Sequence, residues 1–350
     1  CGWQGDILPG NDRMTMLLPT PELEKDNPVT DTIRTEFIVD KPNVLSMPLS
    51  GNNFTKSYET ISLDTKNALF TRRKHESSQR ESIPHNKWSF SKSNEKGLPI
   101  PSYTDCYIKD GFKPGWIYEL VYTARNPLVM GLGFTAVRDL ISFLRNNKTD
   151  HQNTPNPFKT KSDGINKIYG WGQTEGARFL REFVYRGFNE DAKKQPVFDA
   201  IAPHASGGGR IALNYRFAQP GRCPLQHTDH TFPSDEFPFA YPFIVDPISG
   251  KADGILKRPV TDPLVIHTQT SSDYWERRGS LVHTDPLGND IEDHKNSRIY
   301  LLSCTHSNGT CNHKLLASNY KHNINPINVS PLLRAMIDIL DDWADNNITP

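Results

Sequence analysis

The chain has 350 residues, with 40 basic and 40 acidic side chains and a formal net charge of zero. No basic block points to nucleic acid, no Lys/Arg-rich amphipathic segment points to a membrane surface, and no apolar run is long enough to span a bilayer. Aromatic residues make up 10%, too many for a disordered chain, while 27 prolines require much loop.

Residues 1–115 carry short β-type runs at 35–40 and 67–72, with further candidates at 88–90 and 106–108. Polar loops at 72–81 and 91–96 separate them. The strongest strand candidate covers 116–123. Helical spacing begins after it: Phe134, Val137, Leu140, Ile141 and Leu144 recur on one face, with Arg138, Asp139 and Arg145 on the other. Gly131-Leu-Gly133-Phe-Thr-Ala136 has the letters of a dinucleotide fingerprint. Residues 124–130 separate it from the strand, and no second strand follows at the required distance. It is expected to serve helix entry and packing, and no cofactor is expected.

The next stretch organises the chain. Ile165, Ile168 and Tyr169 lead into Gly170 and Gly172, and a helix follows over 175–188 with Leu180, Phe183, Val184 and Gly187 on one face. Between them, Gly172-Gln-Thr174-Glu-Gly176 has the form of a nucleophile elbow, G-x-S-x-G, with Thr in place of Ser. Glycine is needed there where strand and helix backbones come too close for a Cβ. An ordinary Gly-rich turn would show the same letters. A buried strand is expected at 197–202. The triglycine stretch 204–210 is expected to be very flexible. The run 232–247, rich in Phe, Tyr and Pro, suggests a cap over a site. Strands resume at 263–267 and 298–303. The last helix runs from Pro331 to about Trp343, with Ser330 as N-cap. Alternating strands and helices from residue 116 onward predict an α/β sheet.

On such a sheet the chain order nucleophile, acid, His places a hydrolytic triad. Thr174 is the nucleophile candidate. Asp273 follows the strand at 263–267, with Glu276 as the alternative acid, and His306 follows the strand at 298–303. A hydroxyl becomes a competent nucleophile when an imidazole takes its proton, and a carboxylate fixes that imidazole's tautomer. The backbone N–H of Glu175 is the expected oxyanion donor, and Phe237, Phe239, Tyr241, Tyr274 and Trp275 are the expected substrate-side aromatics. A loop histidine and a helix cap are the plainer readings of His306 and Asp273; the order of the three elements favours the triad.

Five cysteines are too few for a disulfide scaffold. Cys304-Thr-His306 and Cys311-Asn-His313 have a composition that suits zinc but not a usual finger spacing, and a Cys304–Cys311 disulfide is as plausible. His227-Thr-Asp-His230 reads as polar loop. No metal is expected.

Tyr169-Gly-Trp-Gly-Gln-Thr-Glu-Gly-Ala-Arg-Phe-Leu-Arg-Glu-Phe183, followed by Gly187-Phe-Asn189, resembles the elbow of a large group of bacterial alpha/beta hydrolase domain-containing proteins. Gly2-Trp-Gln-Gly-Asp6, residues 118–124, residues 131–145, Arg216-Phe-Ala-Gln-Pro220, Phe237-Pro-Phe239, Tyr274-Trp275 and residues 332–343 are similar to the same group. The resemblance implies export, ester hydrolysis, and a Ser-His-acid triad at 174, 306 and 273. Thr174 departs from it. In the resembled proteins the Gly-Trp-Gln-Gly-Asp segment follows a core strand in mid-chain, so the chain starting at Cys1 is expected to be a fragment lacking the first core strands and one oxyanion donor.

The expected architecture is an α/β-hydrolase fold with a β-rich inserted region at 1–115, a core at 116–204 holding the elbow, a cap at 205–258 and the rest of the core at 259–350. The expected partner is a small-molecule ester substrate. A non-catalytic binding protein of the same fold is the alternative.

Overall fold

The computed structural model describes residues 5–10, 14–24, 27–159, 165–222, 224–232, 235–306, 325 and 327–350. Chain contacts divide it into two compact units, Cys1–Gly131 with Ala212–Pro233, and Leu132–Ile211 with Ser234–Pro350.

The first unit is antiparallel β structure. Its main sheet has the order β1 (Thr30–Phe37), β7 (Ile117–Arg125), β3 (Leu69–Arg73) and β4 (Glu81–Ser82). A smaller sheet joins β2 (Val44–Pro48), β6 (Asp105–Phe112) and β5 (Trp88–Ser89). Period-two alternation turns Phe37, Phe70, Tyr118, Leu120 and Tyr122 into one core with Trp88, Phe90 and Phe112. The rings meet edge-on or tilted, as for Phe112 and Tyr118 at 5.0 Å between centroids. Strand β7 was expected to open the α/β core; it is instead paired with β1 on one side and β3 on the other. Its neighbours are far away in sequence, so no local pattern reports them.

The second unit holds the α/β sheet. Four strands, β8 (Tyr169–Gln173), β9 (Ala200–His204), β10 (Leu264–Thr270) and β11 (Ser297–Leu302), run parallel in sequential order. Helix α1 (Leu132–Asn146) buries Phe134, which stacks on Phe179 at 4.9 Å and on Phe188 at 5.1 Å. Helix α2 (Glu175–Tyr185) buries Ala177, Leu180, Phe183 and Val184, and its Arg181 reaches His267 of β10. Helix α3 (Ser271–Glu276) is a short turn after β10. Helix α4 (Ser330–Asn346) packs Leu340 and Trp343 on Ala200, Ala202 and Ile266. Ile266 and His267 project to opposite faces of β10, so α4 and α2 cover opposite sides of the sheet. The N-cap of α4 is Val329, without a side-chain cap bond, and Ser330 is the first helical residue. This shifts the expected cap by one residue, since Pro331 is accepted anywhere in the first turn, where its missing N–H has no helical partner.

The expected cap at 205–258 belongs to two places. Residues 212–233 fall in the first unit and 234–258 in the second. The triglycine segment, expected to be flexible, is buried. A Cβ on Gly207 would lie 2.5 Å from the Arg277 carbonyl oxygen, one on Gly208 2.5 Å from that of Arg278, and Gly208 N donates to Arg277 O at 2.9 Å. Glycine serves close backbone approach here, not mobility. No described helix is long and apolar enough to cross a membrane.

Candidate functional site

The site is built on the carboxyl ends of the four parallel strands, where open α/β sheets hold ligands. Registers Gln173↔His204, His204↔Thr268 and Thr270↔Leu302 bring these ends level. Thr174 follows β8, Asp273 lies in α3 just past β10, and His306 follows β11.

Thr174 has φ 48° and ψ −108°, its N–H donates to His204 O at 2.9 Å, and its carbonyl accepts from Arg178 N at 3.0 Å. One residue thus ends the parallel ladder and starts the helix. For a β-branched residue this backbone is a true outlier, costing on the order of 1–3 kcal/mol. Gly172 makes it feasible: a Cβ there would sit 2.4 Å from Gly176 C and O and 2.7 Å from Ala177 N. Nothing lies within 4 Å of a Cβ on Gly176. Of the two elbow glycines, only Gly172 is sterically required.

The Thr174 hydroxyl donates to Glu175 Oε2 at 2.6 Å. A hydroxyl has one hydrogen, so none is left for an imidazole in this arrangement. Glu175 Oε1 meets Arg178 Nη2 at 3.0 Å, and Arg178 is 1% exposed. Burial alone would raise the Glu175 carboxyl; Arg178, the Thr174 hydroxyl, Arg277 and its own backbone N–H together hold it below the usual range.

Asp273 is 2% exposed. Thr270, the N-cap of α3, donates its hydroxyl to the Asp273 carboxylate and accepts the Asp273 N–H at 3.4 Å. Asp273 is therefore the third helical residue and not the cap. Arg277 Nε lies 3.9 Å from its Oδ1. Burial pushes its pKa up to about 6, with Glu276 and Glu175 adding to the rise and Thr270 and Arg277 opposing it. His306 is half-buried; burial lowers its pKa, Arg277 lowers it further and Glu276 opposes. Two bonds tie the histidine loop to the acid helix: Ser272 N to Thr305 O at 3.4 Å and Cys304 N to Ser271 Oγ at 2.8 Å. Thr174, Glu175, Asp273, Glu276, Arg277 and His306 thus share one electrostatic neighbourhood. The direct bonds of Thr174 and Asp273 run to Glu175 and Thr270.

The expected aromatics differ in setting. Tyr241 is fully buried, with its hydroxyl 2.7 Å from His267 Nδ1. Phe237 and Phe239 are half-buried, and the Phe239 carbonyl accepts from Arg181. Tyr274 stacks on His283 at 5.8 Å, and Trp275 is 77% exposed. Among the described residues no group of three or more His, Cys, Asp or Glu is placed to hold a metal. The Cys304–Cys311 pairing and the His313 ligand lie outside the described residues; His227 and His230 are in the first unit, and His230 pairs with Glu36.

Two buried basic side chains, Arg181 of α2 and His204 at the end of β9, are not marked by the sequence. Arg181 is fully buried; it donates to Gly208 O at 2.9 Å, lies 3.2 Å from His267 Nδ1, and sits 5.3 Å from the Tyr241 ring centre. His204, held down to about 4 by burial, pairs with Thr268 Oγ1 at 2.8 Å. Periodicity marks Arg and His as solvent-facing, and their acceptors come from distant segments.

A parallel sheet with helices on both faces, a strained residue between strand and helix, and an acid and a histidine on the loops after later strands define an α/β-hydrolase type of protein. Residues 100–350 match the family model described as alpha/beta hydrolase domain. The chain belongs to that family. No significant match to a curated protein or to a solved structure accompanies it.

Proposed function

We propose that the chain is a carboxylic-ester hydrolase with Thr174 as nucleophile, His306 as base and Asp273 as the acid that orients it. The observation that carries this reading is the Thr174 backbone, φ 48° and ψ −108°, between a parallel strand and a helix start. Strain of this kind is retained where a side chain must be held out of the strand–helix surface. In the reaction Thr174 Oγ attacks the acyl carbon, its proton passes to His306, and the Glu175 N–H supports the oxyanion. The protonated imidazole then gives its proton to the leaving alcohol, and water repeats the sequence on the acyl-enzyme. Asp273, buried and anchored by Thr270, is suited to a fixed carboxylate, and Glu276 is the alternative.

A second reading, a non-catalytic binding protein, is favoured by one observation. The Glu175 carboxylate takes the Thr174 proton bond and also faces the backbone N–H of Glu175. One group thus occupies both nucleophile and oxyanion donor. Fluorophosphonate labelling separates the readings. We expect slow labelling of the wild type, faster labelling of Thr174→Ser and none of Thr174→Ala. Equal labelling of Thr174→Ala, or an inert Thr174→Ser, removes the hydrolase assignment.

A further inference from the structure

The first unit holds a cleft of about 390 Å³. Thr32, Arg34 and Glu36 of β1 line it together with Val121, the β7 register partner of Arg34. The opposite wall is formed by residues 215–217, Gln219, Arg222, Asp229, Thr231 and Phe232. Two buried polar contacts hold that wall, one within it and one to the sheet. Arg222, 4% exposed, donates to Asp229 at 3.0 Å and to Gln219 at 2.9 Å, and lies 4.8 Å over the Phe232 ring. Glu36, 6% exposed, meets His230 Nδ1 at 3.0 Å. Buried ion pairs add little net stability, because desolvation offsets their attraction. Apolar residues filling the gap would hold the loop better, so the polar lining suits a ligand more than it suits packing.

The charges are not all matched. Asp31 pairs with Arg216 at 3.3 Å and Asp229 with Arg222, and Glu36 is hydrogen-bonded to His230. The Arg34 side chain has no hydrogen bond or ion pair among the described residues. It acts on Glu119 only through its field, and that carboxylate is already held by Arg73 and Arg80. The cleft therefore offers one unmatched guanidinium, hydroxyl groups on Thr32 and Thr231, and the half-exposed ring of Tyr215.

We propose that this cleft binds an anionic saccharide of one or two rings, a hexuronate. Its carboxylate meets the free fork of Arg34, a geometry guanidinium satisfies well. Its hydroxyls donate to the paired carboxylates Asp31 and Asp229 and to Thr32 and Thr231, and its ring lies against Tyr215. The volume is near the lower end of the usual range for ligand pockets. A phosphate dianion is disfavoured because a single unmatched cation faces three lining carboxylates. A cationic ligand is disfavoured because each of those carboxylates has its partner. A purely apolar ligand would desolvate the charged lining without replacing its water.

The test is calorimetric titration of the full chain with glucuronate, glucose and acetate. Glucuronate is expected to bind at least about tenfold more tightly than glucose, with no measurable acetate binding. Arg34→Gln, a change at an exposed strand position, should bring glucuronate to the level of glucose and leave glucose unchanged. Tyr215→Ala should weaken both sugars alike. Circular dichroism confirms that each variant is folded. No glucuronate binding, acetate binding as tight as glucuronate, or an unchanged glucuronate affinity in Arg34→Gln each overturns the proposal.

Discussion

Asp273→Asn is expected to stabilise the protein at neutral pH while removing ester hydrolysis. The carboxyl is 2% exposed, and burial lifts its pKa from 3.8 to about 6. In the native state it keeps its proton to about pH 6, in the unfolded chain only to about pH 4. Its contribution to stability is therefore fully present below pH 3.8 and lost as pH rises through about 6. Above that, a buried ionised carboxylate remains, at about 1.4 kcal/mol per pH unit over the interval from 3.8 to about 6, or about 3 kcal/mol. An asparagine carries no charge and can still accept the Thr270 hydroxyl. The variant should exceed the wild type by about 1 kcal/mol at pH 4.5 and by about 3 kcal/mol at pH 7.5. His204 works the other way: its pKa is lowered to about 4, so its contribution is present above 6.5 and lost as pH falls through about 4. The readout is thus the difference between the two proteins, from urea unfolding by far-UV circular dichroism at both pH values. A difference that does not change with pH, or a variant less stable at pH 7.5, would refute the reasoning. Turnover of an activated ester should fall by about 10⁴ if Asp273 orients His306.

Gly172→Ala drives a Cβ into the main chain of α2, with the closest atoms at 2.4 Å, and should destabilise by about 3 kcal/mol; a urea midpoint shift worth under about 0.5 kcal/mol would remove the steric account of the elbow. Glu175→Ala frees the Thr174 hydroxyl and the backbone N–H that the carboxylate engages. Fluorophosphonate labelling of Thr174 should accelerate at least about tenfold, on the order of 1.4 kcal/mol of barrier; an unchanged rate means that the carboxylate does not restrain the nucleophile.

How much was legible beforehand depended on the range of the interaction. The strands near 35–37, 69–72, 106–108 and 117–123, the helices at 132–146 and 330–346, and the elbow at 172–176 all lie where alternation, helical spacing and glycine placement put them. These are short-range consequences of side-chain period and of sterics, and a single stretch contains all that is needed to find them. Gly172 is the sharpest case, because the clash that requires it involves residues four and five positions away.

The longer-range features were decided by the tertiary structure. Whether Ile117–Arg125 joined the α/β sheet or the antiparallel one depended on β1 and β3, 87 positions apart at the Val121↔Arg34 pair. The same holds for burying Arg181, whose acceptors at Gly208 and Phe239 arrive from 27 and 58 residues along the chain. Its charge reads as solvent-facing until those carbonyls are in place. Sequence order by itself put Thr174, Asp273 and His306 after three of the four parallel strands. Only the folded chain set which bonds the hydroxyl and the carboxylate make, because a proton bond is fixed by angstroms that the spacing of residues along the chain does not specify.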